Sequence, residues 1–113
     1  MRHLEDKIQE AIASHLRLRG VPGLVWWHTA NGGKRNAREA ARLKKHGVRA
    51  GVSDLVLFYA GNLFALELKA PGNRPTVSQL EFLSDVDKQG GYTAWVEGVD
   101  RALACLKSWG LVK

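Results

Sequence analysis

The chain is expected to fold as an α/β domain, a central mixed β-sheet flanked by helices in the order α-β-α-β-β-α-β-α. Three observations lead there. Apolar residues recur at helical spacing near the start. Two apolar runs with strand character flank a Gly-Asn dipeptide. Helix-start and helix-stop signals bracket most of the remainder. With 113 residues, residues 1–113 form one domain, large enough for its own core and marginal for two. Apolar content of 45% and charged content of 25% argue against wholesale disorder.

The first helix is expected over His3 to Arg19, where Leu4, Ile8, Ala11, Ile12 and Leu16 line one side. Gly20 and Pro22 end it. Leu24 to His28 reads as a strand, followed by the loop Thr29-Ala30-Asn31-Gly32-Gly33. A short helix over Ala37 to His46 has Asn36 as N-cap, Glu39 to complete a capping box and Gly47 as its stop. Asp54 to Ala60 and Leu63 to Ala70 form a hairpin around Gly61-Asn62. After a polar loop between Pro71 and Pro75, Thr76 and Gln79 open a helix to about Gln89 by a capping box. Tyr92 to Val96 is a strand, and Asp100 caps a last helix to Trp109.

The formal net charge is +6. Seven bases (Lys34, Arg35, Arg38, Arg42, Lys44, Lys45 and Arg49) against the single acid Glu39 account for all of it. Such a block points to a polyanionic partner, nucleic acid first and an anionic membrane surface second. The Ala-rich face of the short helix lacks the bulky apolar residues of a membrane-surface anchor. No apolar run reaches the roughly 18–20 residues of a membrane span. The start, Met1-Arg2-His3-Leu4-Glu5-Asp6, has no apolar signal-peptide core, so an intracellular, cytoplasmic protein is expected. The lone Cys105 excludes an intramolecular disulfide and a cysteine-rich zinc site, and its apolar neighbours predict a buried structural thiol.

The hairpin carries the chemistry. A Gly61-Asn62 turn pairs Ala60 with Leu63 and sets Asp54 opposite Lys69. Glu67 then shares their face, and Asp54 and Glu67 are diagonal neighbours about 7–8 Å apart between α-carbons. Both strands are otherwise apolar on both faces, which predicts burial on both. Two carboxylates held together repel unless a cation or a proton sits between them. Lys69 offsets part of that charge, and carboxylate oxygens suit Mg²⁺ or Mn²⁺ for the rest. On a helical wheel Glu5 lies roughly 60° from the centre of the first helix's apolar face and Glu10 roughly 160°, so Glu5 borders the sheet and Glu10 faces solvent.

Asp54 followed by Glu67-Leu68-Lys69 resembles the D…(D/E)-x-K pattern of the PD-(D/E)xK nuclease superfamily. Gly47-Val48-Arg49-Ala50-Gly51-Val52-Ser53-Asp54-Leu55, then Leu66-Glu67-Leu68-Lys69-Ala70-Pro71 and Gln79, is similar to a VRR-NUC domain, the virus-type replication-repair nuclease group. Asn31-Gly32-Gly33-Lys34-Arg35 resembles its small stand-alone phage and bacterial members, and Glu5-x-x-Ile8-Gln9 its first-helix motif. Ser53 departs from the pattern, which usually has proline there.

The resemblance implies a restriction-endonuclease-like fold and a metal-dependent DNA endonuclease. Asp54 and Glu67 would hold Mg²⁺ or Mn²⁺, with Glu5 and the Leu68 carbonyl assisting. Lys69 would orient water or offset charge, and Gln79 would hold Lys69 or a phosphate. Asn31, Lys34, Arg35, Arg38, Arg42, Lys44, Lys45 and Arg49 would position DNA by its phosphates. The stand-alone members it resembles act as homodimers with Holliday-junction-resolving activity. Competing expectations are a non-catalytic basic nucleic-acid-binding domain and a flap or nicking nuclease of the same fold.

Overall fold

The computed structural model describes residues 2–30 and 36–113. The elements are α1 (Arg2–Arg19), β1 (Val25–His28), α2 (Ala37–Lys45), β2 (Leu55–Tyr59), β3 (Asn62–Lys69), α3 (Val77–Lys88), β4 (Tyr92–Glu97) and α4 (Gly98–Ser108). The expected order holds throughout, and the fold is α/β. The sheet order is β1-β2-β3-β4. The first three strands are antiparallel, and β4 pairs parallel with β3. Parallel neighbours need a crossover, which α3 supplies while packing on both strands.

One sheet face and two helices make the main core. Ile8, Ile12 and Leu16 of α1 meet Leu55, Leu57, Phe64, Leu66 and Leu68, with Ala102 and Leu106 of α4. Trp109 closes this core against Phe64, ring centroids 5.3 Å apart. The apolar residues of the last helix are therefore used in covering the sheet. Cys105 is half-buried at the edge of the same cluster.

The other face carries Val56 and Ala65, both buried, but Phe58 is 42% exposed and stacks on exposed Trp27 at 6.3 Å. Burial of both faces thus holds at the charged end of the hairpin and fails towards its turn.

The hairpin register differs from the expected one. Tyr59 pairs with Asn62 and Leu55 with Leu66, so Ala60 and Gly61 are the turn. Their φ angles of 51° and 79° are the two positive values of a type I′ turn, whose twist suits the flanking strands. A two-residue shift leaves every side chain on its face, so apolar alternation cannot separate the two registers.

Two helix starts also differ. Asp100 lies in the first turn of α4 but does not cap it, because β4 runs straight into the helix at Gly98, φ 81°. Asn36 caps α2 by accepting from the Glu39 N–H at 2.8 Å, while the Glu39 carboxylate faces Arg42 at 3.7 Å. No residue of α2 is buried, so it stands off the body as a cationic arm.

Candidate active site

The revised register brings Asp54, one residue before β2, level with Glu67 rather than with Lys69. Asp54 is held on every side. Its carbonyl accepts from His28 Nδ1 at 2.8 Å and from the Thr29 N–H at 2.9 Å. Its N–H donates to Glu67 Oε1 at 3.2 Å, and its Oδ2 accepts from the Leu68 N–H at 2.8 Å. Ser53, which replaces the usual proline, is 1% exposed and donates its hydroxyl to the Leu55 carbonyl at 2.8 Å. That bond constrains the backbone where a proline ring would have done so.

Glu67 and Lys69 are buried, and Lys69 Nζ lies 3.2 Å from Glu67 Oε2. Burial, then the charge of Asp54, push the Glu67 carboxyl up to about 8; Lys69 offsets only part of this. The predicted electrostatic conflict is therefore present, and burial together with the Asp54 charge favours the protonated form of Glu67 even with Lys69 beside it. The donors are hard oxygens in a site short of positive charge, which fits Mg²⁺ or Mn²⁺.

Glu5 reaches the same end of the sheet from α1, as its position on the wheel predicts. Its Oε2 accepts from Asn73 Nδ2 at 3.0 Å and from the Ala70 N–H at 3.3 Å. Burial raises its pKa, but those two bonds and the charge of Lys69 outweigh it, and the net shift is downward. Glu5 is turned to the loop after β3. Among the described residues, no three acidic, His or Cys side chains stand close enough together to form a metal cluster. The structure unites Asp54, Glu67 and Lys69 and leaves Glu5 at their margin.

Gln79 forms the expected capping box: its Oε1 accepts from the Thr76 N–H at 2.8 Å, and its N–H donates to Thr76 Oγ1 at 3.2 Å. It still lines the open cavity of about 450 Å³ that contains Glu5, Asp54, Glu67, Leu68 and Lys69. Gln9, His28 and Thr29 line it too. No spacing marks these three as one group, because α1 and β1 meet only through the fold. Asn73 lies in the polar loop between Pro71 and Pro75, where no periodicity or motif marks it.

Arg38, Arg42, Lys44, Lys45 and Arg49 are exposed on and after α2. Asn31, Lys34 and Arg35 lie outside the described residues. Arg49 is tied to Asp85 at 2.6 Å and lies over the Phe82 ring at 5.2 Å. A second cavity, about 840 Å³, runs between α2 and the start of α3 and shares Thr29, Ala30 and Gln79 with the first. The basic arm and the acidic end of the hairpin therefore border one continuous surface. Gly51 sets their spacing: a Cβ there would lie 2.4 Å from the Ser78 carbonyl.

No curated protein matches this chain. A solved structure described as "VRR_NUC domain protein" shares its fold with a TM-score of 0.78, covering 94% of this chain and 87% of its own at 22% identity. The sequence pattern of the VRR-NUC domain matches residues 4–100. That match spans the first helix, the interlocked Asp54 and Glu67 and the helix bearing Gln79, and the chain belongs to the VRR-NUC family, a nuclease-type domain of the PD-(D/E)xK superfamily.

Proposed function

We propose that the protein is a Mg²⁺- or Mn²⁺-dependent DNA endonuclease. The observation that carries this reading is the pairing of Asp54 with buried Glu67, a carboxylate kept from ionising at neutral pH unless positive charge arrives. Asp54 and Glu67 would hold the cation, the Leu68 carbonyl adding an oxygen and Glu5 acting from the margin. When bound, the cation supplies Lewis acidity and charge neutralisation for phosphodiester hydrolysis.

The protein's own groups do the rest. Lys69 neutralises charge building on the phosphate and, as a donor, orients the attacking water. Gln79, its carbonyl oxygen committed to Thr76, presents its amide nitrogen to a phosphate. Arg38, Arg42, Lys44 and Lys45, with Asn31, Lys34 and Arg35, bind the backbone without reading sequence.

The preferred substrate in this reading is a branched DNA such as a Holliday junction, cut during replication, repair or recombination inside the cell by a homodimer with two symmetric sites. Labelled Holliday junction, flap, duplex and single strand, each incubated with Mg²⁺ or Mn²⁺, test it. Paired cuts in the junction support the resolvase reading, and cuts confined to flaps or nicks redirect it within the fold. Binding with no cleavage of any substrate would leave a basic nucleic-acid-binding domain.

A further inference from the structure

The candidate active-site cavity is walled in part by Gln9 and His28. That wall is shared with another cavity, about 490 Å³, that runs beside α1 and also borders Ser14, Arg17 and Trp26. The mechanism proposed above gives none of these side chains a direct contact with DNA, although His28 holds the Asp54 carbonyl.

Two observations suggest that this groove takes a ligand. The first is a set of unanswered polar atoms. Gln9 Nε2 and Oε1 are both buried without a hydrogen-bond partner, and so is Thr29 Oγ1 in the wall of the active-site cavity. Buried donors and acceptors are nearly always paired, because losing water without replacing it is costly. Gln9 follows Glu5 by four residues, so it lies on the same side of α1 one turn further along. The last torsion of a glutamine is broad, so its amide can turn towards either cavity.

The second is a cation held in place without an acid. Among the described residues no carboxylate pairs with Arg17. Its guanidinium lies 5.9 Å from the centre of the Trp26 ring, which keeps it over the groove by cation–π attraction. Arg17 lies twelve residues beyond Glu5, about 18 Å along the helix, which is roughly five base-pair steps of a duplex.

We propose that the α1 groove is a second nucleic-acid subsite. Arg17 contacts a backbone phosphate there, and Gln9 hydrogen-bonds one of the nucleotides between that phosphate and the carboxylates. An amide both donates and accepts, which suits a base edge. The basic arm α2 borders the active-site cavity at Thr29, Ala30 and Gln79, and the new groove borders it at Gln9 and His28. The strand is thus gripped on both sides of the scissile bond. Glu10 is exposed at the rim of the groove and opposes a phosphate there. The proposal rests on the nuclease reading.

The test is the salt dependence of duplex DNA binding, measured in the full chain carrying Asp54→Asn, without divalent metal. Arg17→Glu is expected to weaken binding on the order of fivefold and to lower the salt slope by about one. Glu10→Gln is expected to tighten it. Lys88→Glu makes the same charge change at the far end of α3 and controls for the general field. Gln9→Leu should weaken binding with no loss of thermal stability, since it removes two unpaired buried polar atoms. If Arg17→Glu has no larger effect than Lys88→Glu, the subsite is overturned. If Lys44→Glu still weakens binding in that case, the nuclease reading survives. If the parent binds no DNA at all, the subsite fails, and the nuclease reading is decided by the cleavage panel with Mg²⁺ or Mn²⁺.

Discussion

Asp54 and Glu67 are tied to each other through the backbone: the Asp54 N–H donates to Glu67 Oε1, and the N–H of Leu68, beside Glu67, donates to Asp54 Oδ2. The two carboxylates therefore keep their spacing without depending on long, free side chains. Asp54→Asn retains an oxygen for the Leu68 N–H while removing a charge. It is expected to leave the fold and DNA affinity within about threefold and to lower single-turnover cleavage roughly a thousandfold, several kcal/mol of transition-state stabilisation. Cleavage near the wild-type rate in this variant would contradict the assignment.

Stability should depend on pH through Glu67. Its carboxyl ionises at about 8 in the folded chain against 4.5 ordinarily. Between those values the folded state binds the extra proton, so stability falls as pH rises and the loss is complete above about 8. The Tm of metal-free protein should drop by about 5 °C or more from pH 5 to pH 9. Glu67→Gln should flatten that slope. Mg²⁺, which needs the ionised carboxylate, should raise Tm more at high pH than at low. Equal slopes for both proteins would remove Glu67 as the cause.

The turn offers a test independent of catalysis. Ala60 has φ 51°, where a side chain costs about 1–2 kcal/mol and asparagine is better tolerated. Ala60→Asn creates the Asn-Gly dipeptide favoured in type I′ turns. It is expected to raise Tm by several degrees with activity unchanged. A fall in Tm would favour the Gly61-Asn62 turn, in which position 60 is a strand residue.

Arg49 is partly spent on Asp85, with which it forms an exposed ion pair. Such pairs contribute about 0–1 kcal/mol, so Asp85→Asn should barely change stability. It frees a cation beside the cavity between α2 and α3 and should tighten duplex binding about twofold to threefold at low salt, with a steeper salt slope. Unchanged binding would place Arg49 outside the DNA path.

Gly51→Ala should be far more damaging. Its Cβ would meet the Ser78 backbone at 2.4 Å, and φ is 83°. A loss of more than about 2 kcal/mol is expected, measurable as a lowered denaturation midpoint.

The sequence alone determined the elements, their order and the sharing of one face by Asp54, Glu67 and Lys69. These are local or period-two properties, and they survive an error of two residues in register. It also placed Glu5 near the sheet, because helical angle depends only on spacing. Only the tertiary structure decided that Asp54 stands level with Glu67, since apolar alternation is blind to a two-residue shift and turn conformation is not. Burial of Glu67 and Lys69, the diversion of Glu5 to Asn73 and of Arg49 to Asp85, and the unpaired amide of Gln9 all depend on which distant segments meet. Position along the chain carries no record of those meetings, and they set which charges remain for a metal and for DNA.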